Sequence, residues 1–198
     1  NLEVIQPETG HHIHFNIGLF PRDVFDGGNV PIWLVEGTTM LFEVPPSRHG
    51  ASIGVLNHYR LYMLRRLFGF RPLTPSQWKL FIIDNGLWRG FESYQLGWAL
   101  VYYLYKEHRD GYAEYLRSVF ERDEGEMMTN TEREKEFEDV FGRVDEEWVE
   151  DFYEFLNSLY VKRSALPPHE EDNFDPSINH GARKSGRGHS RGRGSDRY

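Results

Sequence analysis

The residue types best suited to metal chemistry are concentrated near the start of the chain. Glu8 is followed by His11 three residues later and by His12 four residues later. Side chains three or four residues apart share one face of a helix, so either pair could approach the same ion. Imidazole nitrogen and carboxylate oxygen are zinc ligands, and a carboxylate can also act as a general base. The same spacing is typical of a polar helix surface, so this segment alone leaves both interpretations open.

A further acidic residue follows in an apolar helical segment. Residues 31–37 read Pro-x-Trp-Leu-x-Glu-Gly and place Glu36 25 residues after His11. We expect a helix over residues 31–43, because proline suits the first helical position and the prolines from Pro45 onwards cannot continue a helix. Its apolar side chains have the spacing of core residues, and Glu36 is its candidate ligand.

A third element is the most apolar helix that the sequence predicts, over residues 91–108. It contains Tyr94 and Gly97 in a Tyr-x-x-Gly pattern. A tyrosine hydroxyl can donate a hydrogen bond to a developing oxyanion. A buried tyrosine whose hydroxyl is satisfied by the backbone is the other interpretation of Tyr94.

These three elements, in this order, resemble the gluzincin metallopeptidases. The run from Glu8 to Tyr160 is most similar to a bacterial peptidase-MA-like family of uncharacterised function. The resemblance implies that His11 and Glu36 bind zinc, that Glu8 is the general base, and that Tyr94 stabilises the oxyanion. It also implies zinc as the cofactor and a peptide or protein as the substrate.

One position departs from this pattern. Pro7 stands where the family has its first zinc histidine, and a proline side chain offers no ligand atom. His11 and Glu36 remain as two protein ligands, where catalytic zinc normally has three. Unless another histidine substitutes, we expect weak zinc binding and a metallopeptidase-like domain that is impaired or inactive. The alternative is a non-catalytic helical module that keeps the peptidase fold and binds a partner.

The rest of the sequence predicts the scaffold that positions these residues. Aromatic residues make up 15% of the chain and supply large surfaces for a core. Apolar residues recur with helical periodicity, and no strand is clear. We therefore expect a mainly α domain, the helical part of a gluzincin-like fold. Further helices are predicted over residues 52–68, 74–82, 111–120, 132–141 and 145–160.

Composition divides the chain into two parts. We expect a helical domain over residues 1–163, whose folded part ends near Tyr160, and a disordered linker and tail over residues 164–198. Residues 166–179 contain three prolines and no sustained apolar period. Residues 180–198 carry six Lys or Arg against one acid, and 14 of these 19 residues are Gly, Ser, Arg or Lys.

Charge suggests partners only in outline. The tail holds +5 and leaves −13 on the rest of a chain whose formal charge is −8. The tail resembles Arg/Gly-rich RNA-binding segments, but with only six basic residues and no folded RNA-binding motif in the body we favour a solubilising tail, or one that docks on its own acidic body. Residues 121–154 hold 15 acids and four basic residues, which is typical of solvated amphipathic helices or of a docking face for cations.

Compartment and membrane association are constrained only weakly. The chain has no cysteine, which suits either redox compartment. No apolar run approaches the roughly 20 residues that a membrane-spanning helix needs, so no membrane partner is expected. Gluzincins place a small sheet before the zinc helix, and only six residues precede Pro7. We therefore expect a longer parent chain, whose export this sequence leaves open because it contains no signal peptide.

Overall fold

The computed structural model describes residues 30–43, 53–68, 72–84, 90–122 and 128–179. Every regular element within those ranges is helical, which confirms the predicted mainly α fold. Two short 3-10 helices, Arg163–Ala165 and Pro176–Asn179, lie on either side of the last α-helix. The α-helices are α1 (Ile32–Met40), α2 (His58–Phe68), α3 (Pro75–Ile83), α4 (Gly90–Glu107), α5 (Arg109–Phe120), α6 (Asn130–Phe141), α7 (Glu146–Ser158) and α8 (Pro168–Glu171).

Side-chain caps fix where two of these helices begin. At the start of α3, the Thr74 side chain accepts a hydrogen bond from the Gln77 backbone N–H, and the Gln77 side chain accepts one from the Thr74 N–H. Pro75 then occupies the first helical position, as the sequence predicts. Thr129 and Glu132 form the same reciprocal pair at the start of α6. Each pair satisfies backbone donors that a helix end would otherwise leave without partners.

The predicted helix over residues 52–68 begins later than expected, at His58. A turn around Gly54 precedes it, with φ at 66°, a left-handed conformation that glycine adopts without strain. The Gly54 N–H donates to the Leu41 carbonyl over 3.0 Å. The Tyr105 ring lies so close that a Cβ on Gly54 would be 2.3 Å from its Cε1 atom. The turn therefore ties this segment to the end of α1 and to α4.

The central helix is α4, which packs against α1, α2, α5 and α7. Its middle is fully buried, with no exposed surface on Trp98, Ala99, Leu100 or Leu104. Its N-terminal turn is different, because Phe91 keeps 48% of its surface exposed. The most apolar predicted helix is thus the core helix, and its first turn reaches solvent.

A cluster of four aromatic side chains joins α3, α6 and α7. We call Trp78, Phe137, Trp148 and Phe152 the aromatic cluster. The ring of Phe152 lies 4.8 Å from that of Trp78 and 5.7 Å from that of Trp148, measured between centroids. Phe137 lies 6.1 Å from Trp148 in an edge-to-face arrangement. All four side chains are buried, so the cluster forms the core on this side of the fold.

Part of the acidic stretch 121–154 is neutralised within the domain. The Lys79 ammonium on α3 lies 2.6 Å from a Glu134 oxygen and 2.9 Å from a Glu138 oxygen, both on α6. These hydrogen bonds raise the pKa of Lys79 and keep it charged. The charges of the stretch therefore contribute to helix contacts as well as to the solvated surface.

The prediction that residues 166–179 form a linker, and that the folded part ends near Tyr160, is wrong. This segment folds back onto the helical body, with 6% of Leu166 and 8% of Ile178 exposed. The Phe174 ring lies 6.1 Å from the Tyr62 ring of α2. We call residues 159–179 the C-terminal strap.

Arg65 on α2 anchors this strap. Its guanidinium donates to the carbonyls of Leu156 and Leu159 over 2.8 and 2.9 Å, and to the Asn179 side-chain oxygen over 3.0 Å. Asn179 also accepts from the Val161 N–H and donates to the Val161 carbonyl. Burial lowers the pKa of Arg65 to about 10, so the group remains charged at neutral pH. The strap could not be predicted from local sequence patterns. It has no apolar periodicity, and its polar anchors join residues more than 90 positions apart.

None of the helices in the described ranges combines the length and apolar character needed to cross a membrane. The predicted disorder of residues 180–198 concerns residues outside the described part of the chain.

Candidate functional site

Two of the four predicted site residues, Glu36 and Tyr94, lie in the described structure. Glu36 is half-buried on α1, and Tyr94, near the start of α4, is 37% exposed. The predictions for Glu8 and His11 fall outside the described residues. The structure therefore gives the positions of Glu36 and Tyr94 and of the two helices that carry them.

These two helices meet at very close range. A Cβ on Gly37 would lie 2.6 Å from the Gly97 carbonyl oxygen and 2.5 Å from a Val101 methyl group. Gly37 directly follows Glu36, and Gly97 lies three residues after Tyr94. The glycine of the Glu-Gly pair thus lets the backbones of α1 and α4 approach, which brings the two candidate helices into contact.

Besides α4, the helices α3 and α5 also hold α1 in place. The Trp33 indole N–H donates to the Ile82 carbonyl of α3 over 3.0 Å. The Thr38 hydroxyl lies 2.7 Å from the Tyr112 hydroxyl of α5. Burial raises the pKa of Tyr112, so its hydroxyl stays protonated. Because α3, α4 and α5 all fix α1, the backbone that carries Glu36 has little freedom to shift.

A partly buried ion pair connects the end of α1 to the start of α4. Arg60 on α2 binds both carboxylate oxygens of Glu43, the residue that closes the α1 segment. Asn57 donates to the same carboxylate over 3.1 Å and accepts from the Arg60 N–H over 3.1 Å. Arg60 also reaches the side-chain oxygen of Gln95, next to Tyr94, at 3.5 Å.

Sequence reasoning assigned no role to this pair. Residues 57–60 read Asn-His-Tyr-Arg, and the structure gives this stretch a role in joining three helices. The side chains of Arg60 and Glu43 are 15% and 11% exposed, so the pair is largely withdrawn from water. A usable signal was present, since Gln95 interrupts an apolar helix and is only 1% exposed. A buried amide needs hydrogen-bonding partners.

The described residues do not form a zinc site on their own. Among them, no group of three His, Asp or Glu side chains is close enough to hold a metal ion. Catalytic zinc normally takes three protein ligands. Zinc binding through Glu36 would therefore require ligands from outside the described ranges, and we derive no reaction step through the metal.

Residues 1–124 match the model of a protein family that is described as a protein of unknown function, DUF1570. This match covers more than half of the 198 residues. The chain belongs to the DUF1570 family. Neither the curated proteins nor the solved structures contain a match to it.

The DUF1570 match has a definite extent within the fold. It contains all four predicted site residues, the α1–α4 contact and the Arg60–Glu43 pair. It ends at residue 124, before α6, α7 and the C-terminal strap. Because the family description states no activity, the roles of Glu8, His11, Glu36 and Tyr94 stay predictions.

Proposed function

We propose that this chain is a zinc-metallopeptidase-like domain whose peptide-bond hydrolysis is impaired or lost. The observation that carries the proposal is the contact of α1 with α4 at Gly37, which brings together the helices of Glu36 and Tyr94. The gluzincin resemblance requires a ligand glutamate and an oxyanion-binding tyrosine on neighbouring helices. Contact between those two helices supports the proposed pairing.

The residues have distinct roles in this proposal. Glu36 and His11 would hold the zinc ion, which supplies Lewis-acid chemistry when it is bound. Glu8 would accept a proton as general base, and the Tyr94 hydroxyl would donate a hydrogen bond to the oxyanion. The partial exposure of Tyr94 is consistent with a hydroxyl accessible to a peptide.

Pro7 is the reason we propose impairment. With no ligand atom at the first histidine position, two protein ligands remain where three are normal. A weakly held ion seldom occupies its site, so the general base and the oxyanion donor lack the group they would serve. A peptide or protein is the substrate of the proposed ancestral activity.

A zinc titration tests this proposal. Purified chain should contain less than one zinc per molecule, and a chelator should change its melting temperature little, because a weakly bound ligand stabilises a fold only slightly. Glu36→Gln should weaken the residual binding. Glu114→Gln, at an exposed position on α5, is the matched control and should leave it unchanged. Tight one-to-one zinc in the parent, or residual binding indifferent to Glu36→Gln, would overturn the two-ligand site.

A second candidate function is a non-catalytic helical module that binds a partner. The specific observation in its favour is that Phe91 and Tyr94, three residues apart on α4, are 48% and 37% exposed. Aromatic side chains are enriched at the centres of protein interfaces. This function predicts no zinc binding that depends on Glu36, so the same titration separates the two candidates.

A further inference from the structure

A histidine lies where the C-terminal strap begins. His58 is the first residue of α2, and its ring Nδ1 accepts a hydrogen bond from the backbone N–H of Lys162 over 3.3 Å. Lys162 belongs to the strap, close to the carbonyls that Arg65 binds at the end of α7. His58 lies within the DUF1570 match and the strap lies beyond it. This bond therefore joins the family-matched part of the chain to a segment that follows it.

The bond requires a neutral imidazole. A protonated ring donates through both nitrogens and has no acceptor left for the Lys162 N–H. Burial of the ring lowers the pKa of His58, and the positive charge of Lys162 lowers it further, against an opposing hydrogen bond to the Tyr160 backbone. A positive charge at the first turn of α2 is also disfavoured by the helix dipole.

We propose that His58 is a pH-sensitive latch for the C-terminal strap, which it holds while neutral and loosens when protonated. Protonation removes the acceptor for the Lys162 N–H and adds a repulsion between two cations in the docked state, and loosening of the strap relieves that repulsion. Movement of the strap uncovers the side of α2 that carries Tyr62, which is 3% exposed and faces Phe174 in the docked state. This inference does not depend on the proposed zinc chemistry.

The other charged groups at this contact do not reproduce the behaviour. Arg65 binds Asn179 and, with a pKa of about 10, stays charged at neutral pH. Arg66 binds Glu170. His169 is a histidine on the strap itself, with its Nε2 atom 4.0 Å from a Glu170 oxygen. Its side chain is 73% exposed, so it serves as a control for the effect of His58.

The direction of the pH effect follows from the sign of the shift. In the docked state, burial of the ring and the charge of Lys162 lower the affinity of His58 for a proton. Release of the strap removes the Lys162 charge, so we expect the released state to bind protons more readily. Docking is therefore strongest above about pH 6.5, the ordinary histidine value, and weakens as the pH falls from there toward the pKa of the docked ring.

Hydrogen exchange on the full chain tests the latch. Protection of peptides covering residues 159–179, corrected for the intrinsic pH dependence of exchange, is measured from pH 8 to pH 5. We expect protection to fall below about pH 6.5, by about tenfold for each unit that separates the docked and released pKa values. Peptides from the buried middle of α4 should keep their protection, which distinguishes strap opening from global unfolding.

Two matched variants decide whether His58 is responsible. His58→Asn keeps a neutral acceptor near the Nδ1 position and should make strap protection independent of pH, whereas His169→Asn should behave as the parent does. Constant protection in the parent, or a pH response that survives His58→Asn, would overturn the latch. If His58→Asn does not fold, an NMR titration of the parent replaces it. A His58 pKa at or above 6.5 would then refute the proposal, and a value below 6.5 would support it.

Discussion

The α1–α4 contact and the aromatic cluster bury surface in opposite ways. At Gly37 the absence of a side chain lets two helix backbones meet, with the Gly97 carbonyl 2.6 Å from where a Cβ would lie. In the aromatic cluster, α3, α6 and α7 are held apart and joined by large rings such as Trp78 and Phe152, whose centroids lie 4.8 Å apart. One contact depends on a missing side chain and the other on bulky ones.

The difference shows which part of the molecule fixes geometry and which part supplies stability. Backbone contact leaves one allowed spacing between α1 and α4, and these helices carry Glu36 and Tyr94. Burial of aromatic rings contributes more free energy, but its geometry can adjust by repacking. The DUF1570 match includes the α1–α4 contact and ends before α6 and α7. The proposed site and the aromatic cluster therefore differ in physical character, although Trp78 of the cluster lies within the matched residues.

The largest effect is expected in the aromatic cluster. Phe152→Ala removes a fully buried ring that contacts Trp78, Trp148 and Tyr103. It should lower the free energy of unfolding by about 3–5 kcal/mol, through lost burial and a residual cavity. Chemical denaturation followed by circular dichroism measures the loss. Phe91→Ala, at a ring that is 48% exposed, is the control and should cost far less. Equal losses in the two variants would show that the aromatic cluster is not the main source of stability.

A smaller loss with a sharper structural consequence is expected at Gly37. Gly37→Ala places a methyl group against the Gly97 backbone and should cost about 1–3 kcal/mol through overpacking. Gly111→Ala, in α5, is the matched control. Its Cβ would lie 3.1 Å from a Val140 methyl group, with the Phe141 ring and the Val140 carbonyl oxygen at an ordinary contact distance of 3.6 Å, so the substitution should cost far less than Gly37→Ala. Denaturation midpoints of the two variants measure the contrast. A Gly37→Ala variant as stable as the parent would show that α1 and α4 separate easily.

The smallest effect is expected at the strap, which polar contacts hold. Asn179→Ala removes hydrogen bonds to Arg65 and to both backbone groups of Val161. We expect a loss of about 1 kcal/mol in unfolding free energy and faster hydrogen exchange in residues 159–179, because the contact is partly open to water. Asn173→Ala, at an exposed strap position, is the control. Unchanged exchange in Asn179→Ala would mean that the strap is held by its apolar residues alone.

Sequence reasoning located the helices well where local chemistry determines them. Thr74 with Pro75 begins α3 as predicted, because capping and the fixed φ of proline act within one turn. The start of α2 was misplaced because a contact of Gly54 with Tyr105, about 50 residues away, overrides helical periodicity. The strap was missed for the same reason, since Arg65 and Asn179 meet only in the folded chain.

The candidate site was predictable only in part. The Glu-Gly and Tyr-x-x-Gly patterns placed Glu36 and Tyr94 on helices that do pack together, since small residues mark close helix contacts. The Arg60–Glu43 pair was not assigned, because the charged residues themselves carry no sign of burial and the one signal, Gln95 within an apolar helix, was not used. The roles of Glu8 and His11 stay predictions from the resemblance.

Zinc affinity of Pro7→His, measured by calorimetry beside the parent, tests the central claim most directly. The substitution creates the sequence His-Glu-Thr-Gly-His over residues 7–11, whose two histidines, four residues apart, would share one face of a helix and complete three ligands with Glu36. The account predicts zinc binding well above that of the parent, and loss of most of the gain when Glu36→Gln is added. Binding no tighter than in the parent would contradict the assignment of His11 and Glu36 as ligands and would favour the partner-binding module.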